Sequence, residues 1–113
     1  FAREALKDQI PIESGQELTV DFIIDTVCKY YGVKKEKLLG NGRPKRIVIP
    51  RQIAMYLIRS MTNLSLDEIG KVFDNRDHST VLYSIQQIEK KMKSDPVFNQ
   101  TIKEITININ SKR

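Results

Sequence analysis

This sequence lacks most of what a secreted, membrane-spanning or metal-dependent protein requires. Its one cysteine, Cys28, excludes a disulfide within the chain and fits a reducing cytosol. One histidine, His78, and one cysteine cannot supply a typical zinc site. No apolar run approaches the roughly 20 residues needed to cross a bilayer, and no secretory pattern is visible in these residues. No GxxxxGKS or GxxxxGKT phosphate loop occurs. Asp77-His78-Ser79 holds the residue types of a catalytic triad, but neighbours on a helix diverge by about 100° each, so they cannot form a relay among themselves. Catalysis is not expected, and no cofactor is expected in this chain.

The most telling absence is regional. Residues 37–66 hold no acidic side chain and six basic ones, whereas residues 1–36 hold five basic and seven acidic, and residues 67–113 eight and seven. The net charge of +5 is therefore concentrated in a central block, which suits a polyanion and also describes a solvated basic face. A chain of 113 residues, 40% hydrophobic, is enough for one domain with its own core. It begins with Phe1, which we read as a piece of a longer protein.

The apolar spacing is helical almost throughout. Ala2, Ala5 and Leu6 fit the end of a helix, and Ile10 to Gly15 reads as a linker, placing a boundary near residue 17 and a domain over 18–113. Thr19 is the expected cap of a helix to Tyr31 that carries Val20, Ile23, Ile24 and Val27, with Gly32 as its left-handed terminator. Lys34 to Leu39 predicts a short helix, and Gly40 to Arg46 a basic loop. Pro50 is expected in the first turn of a helix to about Met61, with Ile53, Ala54, Leu57, Ile58 and Met61 inward and Arg51 at the edge of that stripe. Ser65 and Glu68 fit a capping box, followed by Ile69, Val72 and Phe73 inward and a stop at Asp74-Asn75. A helix from Asp77 to about Lys93 would bury Val81, Leu82, Ile85, Ile88 and Met92. Asp95-Pro96 opens a last helix with Phe98, Ile102 and Ile105, although Thr106 to Asn110 alternates like a strand. The fold class is all-α, a domain of about six helices with a basic loop, and residues 65–93 form a helix-turn-helix candidate.

Four hydrogen-bonding side chains, Asp77, His78, Ser79 and Thr80, crowd into the start of the second helix of that pair, where folding alone needs one cap. Major-groove readers use this part of their second helix. Asp accepts from the cytosine amino group, and Ser and Thr donate or accept. Asp77 also fits a plain N-cap, and His78 fits a packed or half-exposed ring. An arginine of a short cationic loop such as Arg43 to Arg46 can enter a narrow minor groove. Arg51, Gln52 and Arg59 are placed to meet phosphates or a groove edge. For Tyr83, Gln87 and Lys90 a solvated helix face is the better reading.

Ile69-Gly70, Phe73 and the run Arg76-Asp77-His78-Ser79-Thr80-Val81 resemble the C-terminal signature of the bacterial DnaA family of chromosomal replication initiators. Pro50 to Leu57, and Leu38-Leu39 before a basic loop, are similar to other segments of that DNA-binding domain. The resemblance covers roughly residues 18–105, and residues 2–8 resemble the end of the connector from the family's ATPase region. It implies binding of double-stranded DNA at short asymmetric boxes resembling TTATCCACA at a replication origin. It also implies a cytoplasmic, nucleoid-associated setting, a monomeric fragment, and contacts with other protomers through regions absent here. By resemblance, Arg43 reads the minor groove with Lys45 in the same basic loop, and Arg59 approaches a base in the major groove. Arg76, Asp77, His78, Ser79 and Thr80 belong to the base-reading turn, while Arg51, Gln52 and the backbone near Leu66 meet phosphates. Asp67, Asp74-Asn75 and Ser79 depart from frequent proline, glycine pair and threonine. A dimeric helix-turn-helix repressor and a helical protein-interaction module are the rival readings.

Overall fold

A computed structural model describes residues 11–112, with side chains described over 20–111. The helix expected over residues 1–9 lies outside the described residues. Among those described there are six helices and no strand: α1 (Pro11–Tyr31), α2 (Lys35–Leu39), α3 (Lys45–Met61), α4 (Leu66–Val72), α5 (His78–Ser94) and α6 (Pro96–Lys112). None is long and apolar enough to cross a membrane.

The central element is α3, which packs on α5, α1, α2 and α4. Its buried residues are Ile47, Pro50, Arg51, Ile53, Ala54, Met55, Leu57 and Ile58. At 100° per residue they cover an arc of about 200°, too wide for a surface helix. Around it gather Ile23, Ile24 and Val27 of α1, Leu38 of α2, Ile69 of α4 with the adjoining Phe73, and Val81, Ile85 and Ile88 of α5. Helix α6 closes the other side with Phe98, Ile102, Ile105 and Ile109.

Local signals explain most helix ends. Gly32 takes φ +66° after α1, where only glycine is free of the Cβ penalty. Ser65 Oγ accepts from the Glu68 N–H at 3.1 Å and Glu68 Oε1 accepts from the Ser65 N–H at 2.8 Å, which completes the capping box of α4. Asp74 and Asn75 both take positive φ, 64° and 56°, a region these residue types tolerate better than most. Asp95 accepts from the N–H groups of Val97 and Phe98 and so starts α6 one residue after α5 ends.

Four expectations are corrected. Helix α1 begins at Pro11, so residues 11–15 of the stretch read as a linker are helical and Thr19 lies inside a helix; proline at the first helical position is pre-set for helix rather than opposed to it. Helix α3 begins at Lys45, after Pro44, and Pro50 sits inside it. Burial of Ile47 and Pro50 against the core sustains helix across a proline that removes one ladder donor. Leu82 is 41% exposed, because the inward side of α5 is narrower than its apolar pattern and Ser84 occupies part of it. Residues 106–110 are helical: Ile102, Ile105 and Ile109 all reach the core, so helical spacing outweighs the local alternation.

The pair α4–α5 is held at close range by Gly70. Its carbonyl accepts from the Arg76 N–H at 2.9 Å. A Cβ on Gly70 would lie 2.0 Å from the Arg76 carbonyl oxygen, with Val81 behind it. Gly70→Ala therefore forces α4 and the turn apart, and we expect a loss of about 1–3 kcal/mol, seen as a lowered melting temperature. A melting temperature unchanged from the native chain would show that the turn yields without cost.

Candidate nucleic-acid interface

Two arginines build the site from behind. Arg51 is 4% exposed, although it was expected as a phosphate contact at the edge of the apolar stripe. Its Nε donates to the Leu38 carbonyl at 2.7 Å, Nη1 to Gly42 at 2.9 Å and Nη2 to Lys37 at 3.0 Å. The physical reason for the correction is angular: buried Met55 extends the inward arc of α3 past Arg51, so the guanidinium enters the fold. Three of its five N–H groups serve carbonyls at the end of α2 and in the loop that follows, that of Lys37 shared with the Gly40 N–H. Arg76 reaches the same segment from the α4–α5 turn, with Nη2 donating to Gly40 at 2.6 Å and a buried Nε that has no partner. Burial first, and then the charge of Arg76, pushes the Arg51 guanidinium below its ordinary range. No carboxylate pairs with either arginine among the described residues.

This clamp shapes a groove between loop 40–44, α3 and the start of α5. Its lining brings together Arg43, Arg51, Gln52, Arg76, Thr80 and Tyr83, and no carboxylate lines it. Arg43 is exposed on the loop, while Lys45 and Arg46 are exposed on the first turn of α3 rather than in the loop. That turn has no acidic residue. Cations at a helix N-terminus oppose the macrodipole, so helix stability does not account for this charge.

The second part is the N-terminus of α5. Asp77 Oδ1 accepts from the Thr80 N–H at 3.0 Å and from the Ser79 hydroxyl at 3.1 Å. The Thr80 N–H is the main reason its carboxyl is held below the ordinary range, with the Ser79 hydroxyl adding to it. Both bonds use one oxygen, which leaves Oδ2 outside the cap. Ser79, as donor to Asp77, has acceptor capacity remaining. His78 is exposed, with Nδ1 3.5 Å from Asp67 Oδ1 at the start of α4. The departure at Asp67 thus places a carboxylate beside the imidazole.

The remaining expected residues stand apart from the groove. Arg59, exposed near the end of α3, donates from Nη1 to the Leu64 carbonyl at 2.9 Å and braces the turn into α4. Leu66 opens α4, and its N–H has no intrahelical acceptor. Tyr83, read from the sequence as part of a solvated helix face, is 59% exposed and also lines the groove. Its signal was the i+3 spacing from Thr80, which puts both on one side of α5.

Comparison with known proteins places this geometry. Residues 20–88 match the family described as bacterial dnaA protein helix-turn-helix. The chromosomal replication initiator protein DnaA of Lachnoclostridium phytofermentans is 44% identical over 110 residues, covering 97% of this chain and 24% of that protein. The protein of the same name from Citrifermentans bemidjiense is 40% identical over 105 residues, 93% of this chain and 23% of its own length. This chain therefore spans about a quarter of these relatives. A crystal structure of a DNA replication initiation factor superposes with a TM-score of 0.79 at 32% identity, covering 96% of this chain and 32% of that one. AMPPCP-bound DnaA from Aquifex aeolicus superposes with a TM-score of 0.66 at 31% identity, with the same coverages, 96% and 32%.

Two outcomes follow from the site's own chemistry. Arg51→Lys keeps the charge but cannot span three carbonyls, so it should destabilise the fold by about 1–3 kcal/mol; denaturant unfolding measures this, and native stability would remove the clamp's structural role. Because the folded Asp77 carboxyl is depressed, its cap contributes fully above the ordinary carboxylate range and is lost as pH falls through its folded value. Asp77→Asn should give a shallower fall of stability with acid than the native chain, and parallel curves would contradict that linkage.

Proposed function

This chain belongs to the bacterial DnaA helix-turn-helix family, and on that premise we propose that it is a sequence-specific binder of duplex DNA. Its sites are boxes of the TTATCCACA type at a replication origin, where binding contributes to initiating and regulating chromosome replication at the nucleoid. The observation that carries the reading is the carboxylate-free groove lined by three arginines, contiguous with the exposed start of α5. A field of one sign in a concave site attracts a polyanion. Hydrogen-bonding side chains on an exposed helix N-terminus give it something to discriminate with.

In this reading α5 enters the major groove. Thr80, Ser79, His78 and the free Oδ2 of Asp77 meet base edges, and the cap bond fixes Asp77 while it reads. Arg43 enters the adjacent minor groove from the loop that Arg51 and Arg76 hold. Lys45, Gln52 and the N–H of Leu66 meet phosphates, and Arg59 lies beside the α4 end of the interface. Arg51 is thereby reassigned from a phosphate contact to a residue that positions Arg43. The chain binds as a monomer and carries no catalysis and no cofactor of its own; other protomers are met through regions outside it.

Titration of the chain against a box duplex and a scrambled duplex tests this reading. Thr80→Val should reduce the ratio of the two affinities by about 1–3 kcal/mol, because it removes a base contact and keeps the side chain's shape. Arg43→Ala should lower affinity for A·T-rich flanks above all. Equal affinity of the native chain for both duplexes would contradict sequence reading and favour the interaction module. Binding only to a palindrome, as a dimer, would favour the repressor.

A further inference from the structure

Resting on the duplex-DNA reading above, we propose that the groove between loop 40–44 and α5 seats the one sugar-phosphate strand that separates the two DNA grooves, and that Tyr83 donates its phenol hydroxyl to a phosphate there. A minor groove and the major groove beside it share a single strand as their common wall. In the reading above Arg43 and Thr80 lie on opposite sides of that strand, and both line this one groove. The strand therefore runs through the space between them.

The lining offers a phosphate cationic groups and donors, beside the apolar Val48 and Met55. Arg51 and Arg76 make its floor cationic. Thr80, Gln52 and Tyr83 offer uncharged donors around that floor. Packing gives no reason for an aromatic at position 83: Val81, Ile85 and Ile88 carry the inward side of α5, while the Tyr83 ring is 59% exposed. Tyrosine suits this place because it reaches past the short hydroxyl of Thr80 with few rotatable bonds to order. A phenol donates without charge, so it adds affinity without releasing a counterion, unlike the lysines and arginines around it.

The test is a cycle between Tyr83→Phe and a series of box duplexes, each carrying one neutral methylphosphonate. On the unmodified box, Tyr83→Phe should weaken binding about tenfold, with the native salt dependence. At one methylphosphonate position, between the base pairs that respond to Arg43→Ala and to Thr80→Val, native and variant chains should bind equally. Native affinity of the variant on the unmodified box, or the same loss on every modified duplex, overturns the assignment. If the native chain fails to distinguish box from scrambled duplex, the DNA reading fails and this proposal with it. If the native chain distinguishes them and Tyr83→Phe changes nothing, the Tyr83 assignment alone fails.

Discussion

The structure turns on two guanidinium groups converging on one stretch of backbone. Arg51 and Arg76 take the carbonyls of Lys37, Leu38, Gly40 and Gly42. Helix α2 has five residues and no side-chain cap at its start, far below the length at which a helix is stable alone. The loop after it carries two glycines and a proline. Neither segment has internal reason to hold one conformation, so the arginines impose it. Their charges meet carbonyl dipoles, in part those at the C-terminal end of a helix, where a cation is favoured. Since Arg76 arrives from the α4–α5 turn, the same bonds tie the loop to the helix-turn-helix. The two parts that the functional reading needs side by side are thus tied by hydrogen bonds, and two arginines without a carboxylate partner among the described residues are left behind the groove between them.

The start of α5 shows how folding and recognition share side chains. One oxygen of Asp77 secures the cap, and the other remains outside it. Ser79 braces Asp77 and keeps its acceptor sites. Gly70 lets the turn close to backbone contact, which sets the angle at which α5 is presented. The helix end is already capped by these bonds, and groups held in place beforehand lose less freedom on binding.

What the sequence made legible was what is local. The capping box at Ser65, the terminator Gly32, the left-handed Asn75 and the exposure of Ser79 and Thr80 each depend on residues within a turn or two, and each is present. What escaped depends on the third dimension. Arg51 lies deeper than the apolar stripe alone indicates, because Met55 extends the inward arc of α3 past it. Pro50 looked like a helix start because the rule for proline is statistical, while burial of Ile47 decides the real start at Lys45. The groove itself joins Gly40 to Arg76 across 36 residues of sequence, and no periodicity announces that meeting. Tyr83 followed the same logic: its helix face was legible, but what that face looks onto was not.

In the proposed reading one monomer spans both grooves of one duplex, with Arg43 and α5 on either side of a strand. Replacing each A·T pair of a box in turn by G·C and by inosine·C tests it most directly. Inosine·C shows the major-groove pattern of G·C but lacks the minor-groove amino group. Two classes of position are expected: one where G·C weakens binding and inosine·C does not, removed by Arg43→Ala, and one where both weaken it equally, removed by Thr80→Val. A scan with only one class, or with neither variant altering its own class, would show that a single monomer does not read both grooves.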